Sequence, residues 1–246
     1  YFDSMASEIE SLINNDYKLK LDLKNMQLKA LESQINPHFL YNTLDSIHWR
    51  AMAGGNEEIS IMVESLGTLL RASLSQKHSL VPLKEELELV HRYLLIQKIR
   101  YEDRLLCTFL INGQPFSLPA LENEIPLEEN LGKILIPPFT IQPLVENAIV
   151  HGLEPRRGLG SVAVRLWEET QNICVRIEDD GVGFDPENLD LAREVESAGQ
   201  HNHIALTNVL RRLHLLYGDR ADLQIRSKPG QGTTVLLTLP LDQTKG

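Results

Sequence analysis

From residue 9 to residue 35 the chain has neither proline nor glycine, and Ile9, Leu12, Leu19, Leu23 and Met26 recur at three- and four-residue steps, with Asp16 taking one step. That rhythm predicts a helix whose apolar seam pairs with a second helix as a coiled coil. Leu28, Leu31 and Ile35 continue it displaced by a few residues, so the seam shifts register before Pro37, where a twist could be passed on. Beyond Pro37, read as a helix-kinking proline, Leu40, Leu44, Ile47 and Ala51 predict one apolar face. At about 100° per residue, His38, Asn42, Asp45 and Trp49 fall near the opposite side, which leaves His38 exposed. Gly54-Gly55-Asn56 stops this helix. A second helix is predicted over 57–76, with Ile59, Met62, Val63, Leu66, Leu69 and Leu70 inside. A third follows Val81-Pro82 and runs to about residue 103, with proline suited to a first turn and Glu85 and Glu86 suited to the positive end of the helix dipole.

At residue 105 the pattern changes to alternation. Segments 105–111, 161–168, 173–178, 223–227 and 233–239 predict strands, and 138–151 and 205–217 predict helices between them. Helices followed by a mixed α/β domain is the resulting architecture. Residues 186–203, with Gly199 and two histidines around Asn202, read as a mobile loop.

Charge and composition narrow the function classes. With 34 acidic and 24 basic side chains in 246 residues the formal charge is −10, which argues against direct nucleic-acid binding. An apolar fraction of 42% supports a real core, so general disorder is excluded. Cys107 and Cys174 stand apart from each other and from any Cys/His cluster, which points to a reducing compartment and no structural metal. No apolar run reaches bilayer-spanning length. The chain opens at Tyr1 with Phe2, Met5 and Ile9 already at helical spacing, as expected of a helix cut partway in a longer protein.

Four segments carry candidate chemistry. In Asn36-Pro37-His38-Phe39-Leu40-Tyr41-Asn42 an imidazole, a competent nucleophile near neutral pH, has an amide one turn later that could orient its ring. Taken alone, the same residues describe a surface histidine beside a kink. In Glu146-Asn147-Ala148-Ile149-Val150-His151-Gly152 a helix would put Asn147 and His151 on one face, with Glu146 adjacent, where an amide could complete the water shell of a magnesium ion on nucleotide phosphates; alone, Asn147 could simply cap a loop. Asp179-Asp180-Gly181-Val182-Gly183 follows a strand, so a carboxylate there could accept the exocyclic amine of a purine while the glycines admit a close backbone approach. Neither a GxGxxG fingerprint nor a P-loop occurs. Gly230-Gln231-Gly232-Thr233 precedes the last strand and reads equally well as an ordinary turn.

In this order within one chain, the four segments resemble the sensor histidine kinases of the YesM/LytS type. QINPHFLYNTL (34–44) and IQPLVENAIVHGL (141–153) carry the resemblance most specifically, and the helix over 81–105 is similar to that family's connecting helix. The resemblance implies an α + α/β protein. It would comprise the end of a HAMP-like signal-relay helix over 1–15, a coiled-coil and helical dimerisation and phosphotransfer region over 16–104, and a Bergerat-fold (GHKL) α/β sandwich binding ATP over 105–246. It implies that His38 accepts the γ-phosphoryl of ATP and passes it to an aspartate of a response regulator receiver domain, with Asn42 and Glu146 assisting. It further implies that Asn147 holds Mg²⁺, with His151 and Gly152 beside the phosphates. Asp179 would read adenine, Gly181 and Gly183 would shape the pocket, Asn208 and Arg212 would reach phosphates, and Gly232 and Thr233 would close the far wall. A homodimer follows, with a membrane-spanning sensor segment upstream in the same protein, which puts this part on the cytoplasmic side of the cell membrane.

Some residues depart from the family's pattern. Val150 stands where lysine is usual, and His203-Ile204-Ala205-Leu206-Thr207-Asn208 lacks both glycines of the second box. A catalytically weak pseudokinase, a dimeric scaffold binding ATP and a regulator, is therefore an alternative. ATP hydrolysis is disfavoured, since Pro143 occupies the place of a water-activating carboxylate. A metal site at His201 and His203 lacks further ligands at usable spacing. Because glycine-rich amides at a helix start cradle phosphate, ATP affinity or turnover is expected to be lower than with both glycines present. A nucleotide titration should show a gain for His203→Gly/Ala205→Gly over the parent; no gain would refute the expectation.

Overall fold

A computed structural model describes residues 36–74, 79–116, 125, 127–156, 158–185 and 204–241. The expected relay helix and coiled coil, the 186–203 loop and the histidine pair at 201 and 203 lie outside the described residues. The chain divides into two compact units, 1–44 and 45–246.

Helix α1 (Pro37–Ala53) crosses that division. Its start is set by Asn36, whose side-chain oxygen accepts the Phe39 N–H at 3.2 Å, while Pro37 takes a first-turn position that needs no N–H. Pro37 thus stands in the first turn of a capped helix; the kink expected there involves residues before 36, which lie outside the described residues. In the second unit Ala51 is buried, whereas Ile47, assigned to the apolar face, is exposed, as is Trp49 at 68%. Gly54 and Gly55 end α1, and Asn56 starts α2 (Glu57–Leu74) by accepting the Ile59 N–H at 3.1 Å. Ser60 and His48 bond across the two helices at 3.0 Å.

Strand β1 (Val81–Pro82) leads into α3 (Leu83–Tyr101), which a short turn (Glu102–Arg104) joins to β2 (Leu105–Ile111). Then follow β3 (Gln114–Phe116), α4 (Glu129–Gly132), β4 (Leu135–Ile136), α5 (Gln142–Asn147), a π-helical turn (Ala148–Leu153), β5 (Gly160–Glu169), β6 (Asn172–Asp179), α6 (Ile204–Tyr217), β7 (Asp222–Lys228) and β8 (Gly232–Pro240). Six strands form one sheet in the order β3-β2-β5-β6-β8-β7; β2 and β5 run parallel and the other neighbours antiparallel. The parallel pair needs a long crossover, and that crossover contains α4, α5 and the π turn.

Period-two alternation puts Val162, Val164 and Leu166 of β5, Ile173, Val175 and Ile177 of β6, and Val235, Leu237 and Leu239 of β8 on the inner face. There they pack with Leu83, Leu87, Val90 and Leu94 of α3, Leu144 and Val145 of α5, and Val209 and Leu213 of α6 in one core. Each such aliphatic side chain, fully buried, contributes about 1.5–3 kcal/mol. Helix α3 therefore packs as part of the sheet domain's own core.

Ile59 and Leu66 of α2, expected inside, are exposed as well, because no described element covers that face. Two further details differ from expectation. Residues 138–141 are not helical: Phe139 takes φ +55°, and the N–H groups of Phe139, Thr140 and Ile141 donate to the Glu86 carboxylate at 2.5, 2.9 and 3.0 Å. Glu86 itself is 0% exposed, so it serves this loop and not the start of its own helix. The hairpin β2–β3 went unanticipated although Asn112-Gly113, both at positive φ, is the commonest tight-turn pair between strands.

Candidate functional site

The first-unit candidate is His38. It is exposed on α1, and the Asn42 amide nitrogen lies 3.3 Å from both Nδ1 and Nε2 of its ring, so an amide N–H can donate to a ring lone pair and fix the imidazole's orientation.

In the second unit, a cleft of about 540 Å³ opens between α5 with its π turn, the ends of β6 and β8, and α6. Asn147, His151, Gly152, Asp179, Gly183 and Thr233 line it among the expected residues. Sequence reasoning missed its apolar wall, made by Leu144, Ala148, Ile177, Phe184, Leu206, Ile225 and Val235. Strand parity was the available signal, because Ile177 shares a face with Asp179, and Val235 with Thr233.

Asp179 ends β6 with its carboxylate in the cleft. It accepts N–H groups from Gly181, at 2.9 Å, and from Thr233. Burial pushes its pKa up to about 6; those two bonds pull it back and neighbouring Asp180 adds to the rise. At neutral pH the group is thus chiefly a charged acceptor in a partly dry pocket. Asp180 turns elsewhere: it accepts the Ser161 N–H at 2.7 Å and pairs with Arg156 at 3.0 Å.

Close backbone crossings hold this corner together. A side-chain carbon on Gly152 would stand 2.7 Å from Asp179 Oδ1, and one on Gly181 would overlap the carbonyl of Gly152. That carbonyl accepts the Val182 N–H at 2.8 Å. Gly232, at φ +85°, brings its backbone against the Asp179 carbonyl, a conformation and a distance that only glycine permits. The π turn from Ala148 carries Gly152 into this crossing while leaving Asn147 and His151 on the cleft wall.

The Asn147 Nδ2 is buried without a hydrogen-bond partner. A buried amide N–H in that state fits a ligand oxygen, such as one of a phosphate, as its missing acceptor, while the Oδ1 of the same side chain is the atom that could serve a hard cation. Glu146 beside it is exposed and does not line the cleft. Asn208 is also exposed and outside the lining, and Arg212 Nη2 donates to the Phe139 carbonyl at 2.7 Å. That bond ties Arg212 to the loop before α5, and Arg212 is not among the residues lining the cleft.

Known proteins now bear on this geometry. The histidine kinase family pattern matches residues 26–105, and that of the histidine kinase-, DNA gyrase B- and HSP90-like ATPases matches residues 139–243. The chain belongs to the sensor histidine kinase family. The sensor histidine kinase YesM of Bacillus subtilis (strain 168) is 37% identical over 240 residues, 98% of this chain and 38% of that protein. The sensor protein LytS of Oceanobacillus iheyensis is 31% identical over 252 residues, 98% and 40% respectively. The sensor protein kinase HptS of Staphylococcus aureus (strain USA300) is 29% identical over 245 residues, 99% and 44%. The chain thus spans about two fifths of the length of the curated relatives it matches. The ATPase match implies ATP binding, and the cleft falls within the matched residues. No described helix is long and apolar enough to cross a membrane.

The crossing of Gly152 and Gly181 generates a stability prediction. Gly181→Ala must displace backbone, so it should lower unfolding stability by at least about 2 kcal/mol. Denaturant unfolding that matched the parent would show the crossing to be slack.

Proposed function

We propose that this chain is the kinase portion of a two-component sensor: it binds ATP with Mg²⁺ in the cleft and transfers the γ-phosphoryl to His38. The observation that carries the reading is the pairing, in one apolar-walled cleft, of the orphaned Asn147 amide with the buried Asp179 carboxylate. A carboxylate acceptor suits the exocyclic amine of adenine, and Ile177, Phe184 and Val235 suit the faces of a planar base. Asn147 would hold the metal, with His151 and Gly152 beside the phosphates and Gly181, Gly183, Gly232 and Thr233 shaping the pocket. Mg²⁺, when bound, neutralises charge developing on the transferred phosphoryl group.

In the transfer, a ring-nitrogen lone pair of His38 attacks the γ-phosphorus, the bond to the β,γ-bridging oxygen breaks, and ADP leaves with that electron pair. Asn42 orients the resting imidazole and releases the ring's single lone pair for the attack, so the protein's contribution is mainly positioning. The proton remaining on the other ring nitrogen passes to solvent or to a carboxylate, for which the family resemblance offers Glu146. The phosphoryl group then moves to an aspartate of a response regulator receiver domain.

Residues 16–104 serve as the dimerisation and phosphotransfer region and 105–246 as the ATP-binding domain, with α3 structurally shared. Homodimerisation is supported by the exposed Trp49 and Met52 on α1 and Ile59 and Leu66 on α2, apolar residues one copy leaves unburied. Residues 1–15 would continue a signal-relay module descending from a membrane-spanning segment, with the described units on the cytoplasmic side. His203 and Ala205 in place of glycines favour a second reading, a scaffold that binds ATP without phosphorylating itself.

The test is incubation with γ-labelled ATP and Mg²⁺, parent beside His38→Gln. Acid-labile label on the parent alone is the expected result. ATP bound but no label on either protein would favour the scaffold.

A further inference from the structure

The acidic side chain buried most deeply among the described residues lies outside the cleft. Glu86, on α3, has no exposed surface, and its two oxygens accept three successive backbone N–H groups, from Phe139, Thr140 and Ile141. Burial raises its pKa, while those bonds and the nearby Arg212 guanidinium oppose the rise. An acceptor-only geometry at both oxygens is that of the carboxylate, since a protonated oxygen would need an acceptor that the three donors do not supply.

The other half of the arrangement is Arg212 of α6. It lies close enough to Glu86 to interact electrostatically, and its Nη2 donates to the carbonyl of Phe139. Phe139 is therefore gripped on both sides, its N–H by an anion and its carbonyl by a cation, at a φ of +55° that a bulky residue adopts only when its surroundings impose it. Ile141, the last residue of the gripped loop, donates its N–H to Glu86 and accepts the N–H groups of Leu144 and Val145 through its carbonyl, which starts α5. Asn147 is the last residue of that six-residue helix. Leu206 on the opposite wall of the cleft belongs to the same helix as Arg212.

We propose that Glu86 and Arg212 form a brace of positioning residues that sets Asn147, and the α6 wall of the cleft, against the phosphate end of the nucleotide. The inference rests on the nucleotide-site reading and adds to it two residues that do not touch the ligand. Its mechanical content is specific. The brace acts on the entry to α5 and on α6, whereas Asp179 is held separately by Gly181 and Thr233. Loosening the brace should therefore harm the metal and phosphate end while sparing the base end.

The experiment compares Glu86→Gln and Arg212→Met with the parent, titrating each folded protein with Mg²⁺-ADP and, separately, with adenosine. Glutamine keeps the shape but turns an NH2 toward backbone donors; methionine keeps much of the arginine stem. The expected result is a loss of roughly 10- to 100-fold in Mg²⁺-ADP affinity, the range for residues that support a metal ligand, with adenosine affinity within about twofold of the parent. If Glu86→Gln fails to fold, Arg212→Met decides on the same readings. Unchanged Mg²⁺-ADP affinity in a folded variant overturns the proposal. An equal loss for both ligands also overturns it, because that marks general loosening. A parent that binds no Mg²⁺-ADP overturns the nucleotide-site reading itself, an outcome separate from these.

Discussion

Three stretches of backbone cross at Asp179 with no room for a side chain, and the cleft exists because they do. Gly152 at the end of the π turn, Gly181 just past β6 and Gly232 at the start of β8 each approach to distances that a Cβ would forbid. The sheet supplies the rigid side of this contact, since Ile177 and Val235 on the same strands are buried in the core. Such crossings cost conformational freedom, and the core burial of the flanking strands offsets it. A partly desolvated carboxyl is thereby fixed at the mouth of an apolar pocket, where a hydrogen bond to a charged acceptor is stronger than in water.

The helical side of the cleft is fixed in a different way. Its entry loop contains two prolines, Pro137 and Pro138, and a left-handed Phe139, none of which can belong to a helix interior. Charge provides the order instead, through Glu86 and Arg212. A buried carboxylate is tolerable only when fully bonded, and here that requirement ties α3 to the loop before α5. The helix next after α1 and α2 in the chain is consequently part of the nucleotide domain's own core. His38 depends on none of this: its geometry is local to α1, with a cap at Asn36 and an amide one turn on.

Much of the sheet and most of the helices were legible because periodicity is a property of the chain itself; β5, β6 and β8 begin and end within one residue of the expected bounds. Asp179 and Asn147 were legible through type and spacing, and the four segments together gave the family. What escaped depends on tertiary partners. Pro138 could open a helix at its first turn, yet Glu86, more than fifty positions away, draws off the N–H groups of Phe139, Thr140 and Ile141. Arg212 was placed at the phosphates by the family resemblance, and only the fold shows its Nη2 donating to the Phe139 carbonyl. The apolar wall and the Asn112-Gly113 hairpin are different, because strand parity and the Asn-Gly pair are both visible in the sequence itself.

The claim on which the rest turns is that nucleotide sits in this cleft, with its two ends on Asn147 and Asp179. Backbone hydrogen exchange with and without Mg²⁺-ADP tests it directly. The account predicts slowed exchange concentrated at 145–153, 179–184 and 230–235, with the outer-face positions around Arg165 and Arg176 unchanged. Binding accompanied by protection elsewhere, with those three segments unaffected, would contradict it.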